Sequence, residues 1–403
     1  MTSGPEDGID RIPAGSSDYS KLDLSFIWID SDSACEIMLE EIDREPRIAL
    51  DLEGSSLYHY RDRISLIQIA TQTRKYVIDP FSLDVGSSFK RILEADSIIK
   101  VLHGCEHDVR SLDRDYGIHI RNLYDTKVAA ELCGMTSLSL AGLVEHFFGV
   151  HISKKYQTHD WSARPITPQA LAYAVCDTHF LLELKDLLDS KLLELGRTDW
   201  VSEELRQLEM LRYKPSRNQM LGFRSMQGVH LLGEKSVAIA HALWEWREKT
   251  AEMRDVPPFR VMSNEVLLKI AAEKPRSIHH LKITISNNRR LIQELHTLWT
   301  LITQAPDRVP REPDVLNGCR RLSASEQQKI KQIKDRRTAI ADELGINPAL
   351  IASREAIERL VRLNLSLDGN SIEDIRSGTG LRQWQIQLLR RGVLSEKGSG
   401  KRL

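Results

Sequence analysis

The sequence predicts an α/β domain with a mixed sheet, followed by two all-helical domains. First, 403 residues exceed the size at which one hydrophobic core keeps growing, so two or three domains are expected. Second, the first half alternates short β-branched runs with segments of helical periodicity. Third, the second half keeps helical periodicity and repeats a pattern at an offset of 90 residues.

Apolar runs and helix punctuation define the elements of the first half. Five runs predict strands: Phe26–Ile29, Ile48–Leu52, Ile64–Ala70, Tyr76–Ile78 and Ile98–Leu102. Four segments predict helices: 33–44, 106–116, 126–133 and 168–195. Gly117 and Gly134 follow two helices, Asp125 is placed to cap another, and Thr167-Pro168 gives a cap followed by a first-turn proline.

The stretch Arg47–Ser56 carries two carboxylates on one side of a predicted strand. Aliphatic residues at positions 48, 50 and 52 alternate with Ala49, Asp51 and Glu53, and alternate strand residues face opposite sides. Acidic side chains are rarely buried without a partner, and a divalent metal supplies more charge than a single Lys or Arg. A strand that frays into a polar turn at residues 54–56 explains the same residues without a metal.

Two later segments add candidate ligands. Asp108 lies in a first helical turn just after a strand, where α/β proteins place ligand groups. Tyr173 and Asp177 stand four residues apart and share one helix face, although such a pair can be a simple hydrogen bond. We expect Asp125 to be a helix cap instead of a ligand.

Composition excludes several classes of protein. With 41% hydrophobic and 28% charged residues, the chain is ordinary for a globular protein. No run approaches the length of a membrane span, and the N-terminus lacks the features of a signal peptide, so we expect no membrane partner. Five scattered cysteines without a C-x-x-C pair predict no zinc site and no disulfide-linked partner. The expected location is the cytoplasm.

The two halves carry opposite charge. Residues 1–200 contain 21 Lys and Arg against 33 Asp and Glu, a net charge of −12. Residues 201–403 contain 35 against 24, a net charge of +11. A basic half is the footprint of a polyanion partner, although it can also be solubilising charge.

Taken in order, the acidic residues form a set that resembles a known family. Asp51-x-Glu53, His103-Gly-x-x-x-Asp108 and Tyr173-x-x-x-Asp177 are similar to the three motifs of the DEDD superfamily of 3′→5′ exonucleases, in its tyrosine branch. The likeness covers about residues 25–200 and extends to the ribonuclease D family through these strings: Asn122-Leu-Tyr-Asp-Thr126, Lys154-Lys-Tyr-Gln157, Asp160-Trp161, Arg164-Pro165 and Asp177-Thr-His-Phe-Leu-Leu182.

The resemblance implies a ribonuclease H-like fold and two-metal hydrolysis. Four carboxylates would hold two Mg²⁺ or Mn²⁺ ions about 3.5–4 Å apart. By resemblance, Asp51, Glu53 and Asp177 bind the ion that activates water, Asp51 contributes to the second, and Asp108 acts through water. Tyr173 would orient the attacking water, where the other branch has a histidine at the position of Ala172. Gly54 replaces the bulky residue that ribonuclease D often has after this Glu.

Five further residues are candidate substrate contacts, each with a structural role of similar weight as the alternative. These residues are His103, Lys155, Gln157, Trp161 and Arg164.

The second half resembles the helicase and ribonuclease D C-terminal (HRDC) domain twice. The copies share the 90-residue offset, with Pro258 and Ser263 matching Pro348 and Ser353. We expect these boundaries: a disordered tail 1–24, the exonuclease domain 25–200, a connector 201–234, HRDC-like domains 235–305 and 324–395, a linker 306–323 and a tail 396–403. Basic candidates for RNA contact are Lys282, Arg289, Arg290, Lys331, Lys334, Arg336 and Arg337.

The sequence therefore predicts a metal-dependent 3′→5′ exoribonuclease that releases nucleoside 5′-monophosphates. Resemblance suggests the single-stranded 3′ ends of tRNA precursors and other small structured RNAs as substrates. Two alternatives remain: an exonuclease acting on single-stranded DNA, and a non-catalytic RNA-binding scaffold.

Overall fold

The computed structural model describes residues 9–10, 22–215, 222–307 and 320–398. Most of the expected tail 1–24, most of the linker 306–323, part of the connector 201–234 and the end of the tail 396–403 lie outside the described residues. None of the helices in the described ranges combines the length and apolar character that a membrane crossing requires.

A mixed sheet forms the centre of the first half. Its strands are β1 (Ile9–Asp10), β2 (Phe26–Ile29), β3 (Arg47–Gly54), β4 (Ile64–Ala70), β5 (Lys75–Ile78), β6 (Ile99–Leu102) and β7 (Leu123–Asp125). Their order across the sheet is β1-β2-β5-β4-β3-β6-β7. β4 runs antiparallel to both neighbours, whereas β3, β6 and β7 are mutually parallel. The predicted mixed sheet is thus confirmed.

Helices flank this sheet on both sides. They are α1 (Asp32–Ile42), α2 (Val85–Leu93), α3 (Glu106–Tyr116), α4 (Thr126–Leu132), α5 (Leu140–Phe148), α6 (Pro168–His179), α7 (Leu181–Glu194) and α8 (Thr198–Glu209). One core packs Ile48 and Leu50 of β3 against α1, α2 and α3. Ala49 packs on the opposite face with α4 and α7, so the predicted alternation along β3 is confirmed.

The prediction of a single helix over 168–195 is wrong, because the structure has two helices there. The structure breaks it at buried Phe180, which ends α6. The break lets α6 cross β3, β4 and β5, while α7 packs against β3, β6 and α4.

Two helical units form the second half. The first contains α9 (Glu234–Met253), α10 (Pro258–Val261), α11 (Asn264–Glu273), α12 (Ile278–Thr284), α13 (Arg289–Gln293) and α14 (Leu295–Gln304). The second contains α15 (Ala324–Leu344), α16 (Pro348–Ile351), α17 (Arg354–Arg362), α18 (Ile372–Thr379) and α19 (Gln383–Gly398). The offset is visible in the structure: Pro258 and Pro348 open matching short helices, and Ser263 and Ser353 cap the next ones.

The helical units relate differently to the sheet domain. The first has its own apolar core. The second shares a continuous core with α4, α7 and α8. There Trp200 and Trp384 stack with ring centroids 4.7 Å apart, and buried Arg197 donates to the carbonyl oxygens of Leu132 and Leu344 at 2.6 and 2.7 Å.

Candidate metal centre

Three carboxylates converge at the end of the central strand. Oxygens of Asp51, Glu53 and Asp177 lie within 4.8 Å of one another. β3 presents Asp51 and Glu53 on one face, and α6, which packs across β3, supplies Asp177. The charged groups that act most strongly on these carboxylates are other acids, not cations. Three half-buried acids without a counter-charge form a donor set for a divalent cation.

A β-bulge at Glu53 shapes this end of the strand. The register between β3 and β4 shifts between Glu53 and Gly54, and bulges commonly redirect side chains beside active sites. A Cβ atom at Gly54 would lie 2.9 Å from Asp62 Oδ1, which a 2.9 Å ion pair to Arg114 holds in place. A larger side chain at position 54 would therefore require Asp62 to move.

When no metal is bound, the electrostatic environment favours the protonated forms of the carboxyl groups of the site. Burial raises the pKa of Asp51 and of Glu53 well above the usual carboxyl range, and the charge of Asp177 adds to both shifts. Burial also raises the pKa of Asp108 and of Asp177 to about 7. Oxygen-only ligands suit Mg²⁺ or Mn²⁺ better than zinc, so a divalent metal fits this donor set.

Tyr173 lies one helical turn from Asp177 on α6. The tyrosine is buried, and the effect of its hydroxyl on the Asp177 carboxylate partly offsets the burial shift in the pKa of Asp177. Burial, followed by the charge of Asp177, raises the pKa of Tyr173, so its hydroxyl keeps its proton. Trp161 stacks against the ring with centroids 6.2 Å apart, which fixes the orientation of Tyr173.

Asp108 lies near the three acids but outside their cluster. It lies in the first turn of α3 and contributes to the raised pKa of Asp51 and of Glu53. The turn that leads into α3 is tied to Asp125, which accepts bonds from the amides of Gly104 and Cys105 at 2.9 and 2.8 Å.

Asp125 also caps α4, as predicted, by accepting from the amides of Lys127 and Val128. Its second role, in positioning the Asp108 turn, was not predicted, because that role depends on the parallel pairing of β6 and β7.

The five candidate substrate residues fall into two groups. Lys155 and Gln157 are exposed and accessible to a ligand. His103 Nδ1 lies within hydrogen-bond distance of Thr126 Oγ1 at 2.9 Å, so its ring has a structural contact. Trp161 is only 2% exposed and belongs to the core.

Arg164 has no donor left for a substrate in this structure. It makes two 2.8 Å bonds to Asp79, and the remaining three N–H groups reach the carbonyl oxygens of Ser65, Trp161 and Ala163. All five guanidinium donors are therefore used within the protein. Sequence analysis missed Asp79, although its place directly after β5 and before Pro80 was visible.

Comparisons with known proteins agree with this geometry. A 3′-5′ exonuclease family model matches residues 26–193, and an HRDC domain model matches residues 236–300. The Saccharomyces cerevisiae exosome complex exonuclease RRP6 is 33% identical over 268 residues, which are 62% of this chain and 36% of that protein. The chain thus spans about a third of the length of this curated relative.

Two solved structures are also similar. The catalytic core of RRP6 from Trypanosoma brucei is 33% identical, with a TM-score of 0.59 over 69% of this chain and 79% of that one. Escherichia coli RNase D, an exoribonuclease involved in structured RNA processing, is 25% identical, with a TM-score of 0.65 over 94% of this chain and 100% of that one.

A mixed sheet that gathers three carboxylates and a tyrosine from β3 and α6 defines a metal-dependent nuclease class. The chain belongs to the DEDD family of 3′→5′ exonucleases and carries an HRDC domain in its first helical unit.

Proposed function

We propose that this protein is a metal-dependent 3′→5′ exoribonuclease of the ribonuclease D type. The observation that carries the proposal is the cluster of Asp51, Glu53 and Asp177, whose oxygens lie within 4.8 Å of one another. We further propose that the site holds two ions, Mg²⁺ or Mn²⁺, with Asp108 joining the second through water. A bound divalent ion would activate water and stabilise the charge on the leaving 3′ oxygen.

The protein's own side chains would do the remaining work. Asp51, Glu53 and Asp177 lose their protons as the metal binds, since the ion reverses the burial effect on their pKa values. Tyr173 keeps its proton and orients the attacking water through its hydroxyl. Lys155 and Gln157, both exposed, are proposed to contact the RNA.

We also propose a substrate, a second HRDC-like domain and a location. We propose single-stranded 3′ ends of small structured RNAs, including tRNA precursors, because the similar E. coli RNase D is an exoribonuclease involved in structured RNA processing. The second helical unit is proposed as another HRDC-like domain, given its matching order of short helix, capping serine and longer helix. The proposed location is the cytoplasm.

One gel tests the activity. RNA and DNA oligomers of matched sequence, labelled at the 5′ end, are incubated with the protein and Mg²⁺ or Mn²⁺, and products are resolved by length. We expect a ladder shortening from the 3′ end on RNA, and no products with EDTA. A ladder on DNA alone would replace the RNA assignment with a DNA exonuclease. Uncut RNA that still binds the protein would favour the scaffold.

A further inference from the structure

Two cavities lie where the loop between β3 and β4 meets the first helical unit. Their volumes are about 680 and 880 Å³, within the range of small-ligand sites. Both are lined by the same five residues, Tyr60, Arg61, Arg63, Phe81 and Glu252. These residues define a joined space, named here the Phe81 groove.

The Phe81 groove begins beside the metal centre. Ser55, two residues after Glu53, lines the smaller cavity. Asp160 and Ser162 line it too, and they flank Trp161, which stacks on Tyr173. A chain whose end reaches the carboxylates could therefore continue into the groove.

Most acids in the walls are already paired. Glu252 forms an ion pair with Arg61 at 3.1 Å, and Asp255 forms one with His59 at 2.7 Å. Asp62 and Asp115 both pair with Arg114. In contrast, exposed Arg63 lines both cavities and its side chain makes no hydrogen bond or ion pair within the described part of the chain. The guanidinium of Arg63 is thus accessible to an anion in the groove.

Phe81 supplies an aromatic surface next to this arginine. Its side chain is 52% exposed, whereas most large apolar side chains of the protein are buried in its core. The Arg164 guanidinium lies 5.0 Å from the ring centroid, and its five internal hydrogen bonds keep that neighbour fixed. Exposed aromatic rings beside basic groups are how proteins bind single-stranded nucleic acid without sequence preference.

We propose that the Phe81 groove binds the nucleotides that precede the 3′-terminal one in single-stranded RNA. A base stacks on Phe81, and a backbone phosphate meets Arg63. The proposal rests on the proposed function, because the exonuclease reaction is what brings an RNA 3′ end to Asp51 and Glu53. The groove would hold the strand while the terminal nucleotide is removed.

The test measures binding separately from hydrolysis. A 5′-fluorescein RNA hexamer is titrated in EDTA with wild-type protein, Phe81→Ala, Phe81→Leu and Arg63→Ala. Controls are Ile37→Ala and Arg44→Ala, which alter an exposed apolar side chain on α1 and an exposed arginine outside the groove. Phe81→Leu keeps apolar packing beside Arg164, so it separates stacking from folding.

We expect both Phe81 variants to bind the hexamer roughly 5- to 150-fold more weakly, as measured for stacked bases. Arg63→Ala should lower the slope of log affinity against log salt by about 0.7. If the Phe81 variants bind the hexamer with wild-type affinity, the proposal that the groove binds RNA is wrong, whether or not the protein cuts RNA. Weakened hexamer binding in a protein that cuts no RNA supports the groove while rejecting the exonuclease activity.

Discussion

Tyr173 is the residue whose role depends most on a single atom. Its ring packs on Trp161, and its hydroxyl lowers the pKa of Asp177. Tyr173→Phe keeps the packing and removes the hydroxyl, so we expect kcat to fall roughly 100-fold or more with little change in KM. Single-turnover digestion of a short RNA measures both constants. Normal kcat with weak binding would instead make Tyr173 a stacking residue.

The raised carboxyl pKa values predict how stability depends on pH. Asp108 and Asp177 have a pKa of about 7 in the folded protein, above the range of about 4 for an unfolded chain. The folded state thus binds these protons more tightly, and their stabilising effect is complete below about pH 4 and lost as pH rises through about 7.

Without metal, the melting temperature of the wild type should therefore fall between pH 5 and 8 more than that of Asp177→Asn. Added Mg²⁺ at pH 8 should raise the melting temperature of the wild type alone. Thermal scans in EDTA and in Mg²⁺ measure both effects. Parallel curves for the two proteins would show that Asp177 does not carry this proton.

At the scale of elements, Arg164 joins segments far apart in sequence. Its pair with Asp79, which is largely buried, links the loop before α6 to the end of β5. Arg164→Ala leaves that carboxylate without its partner, so we expect a loss of roughly 3 kcal/mol in unfolding free energy. Urea unfolding measures it, with Arg44→Ala, which alters an exposed arginine, as the control. Unchanged stability with weakened RNA binding would restore the predicted substrate contact.

The elements themselves were largely predictable from sequence. β2 and β4 begin and end where the apolar runs do, and Thr167 caps α6 as its Pro168 neighbour indicated. β7 was missed because three residues carry too little periodicity. The acidic residues were predicted as a set through the resemblance of their three motifs to a known family. Whether Trp161 and Arg164 face a substrate or the core depends on tertiary packing that no local pattern encodes.

At the scale of the whole molecule, the second helical unit is part of the nuclease core. Trp384 stacks on Trp200, and Glu204 accepts from Trp384 and pairs with Arg382 at 3.1 Å. A chain cut near Lys235 would expose this surface, so substitutions in the full chain test the helical units more cleanly than truncation.

The basic surface of the first helical unit makes a measurable prediction. Lys282, Arg289 and Arg290 are exposed, whereas Arg337 of the second unit donates to the carbonyl oxygen of Ala352 and has a structural contact. Replacing the three exposed residues with Ala should lower the salt slope of structured-RNA binding by about 2, since each phosphate contact contributes about 0.7–0.9. The charge-matched control replaces Arg44, Lys90 and Arg91. An unchanged slope would assign this surface to another role.

The rate of RNA digestion by Asp51→Asn in Mg²⁺ tests the metal centre most directly. Asp51 lies on the central strand, and its carboxylate belongs to the three-acid cluster. Loss of one ligand charge should lower kcat at least about 100-fold, because metal stabilisation of charge is worth several kcal/mol. Asp96→Asn, on an exposed loop, should digest RNA at the wild-type rate. If Asp51→Asn also did so, the carboxylate cluster would not be the catalytic metal site.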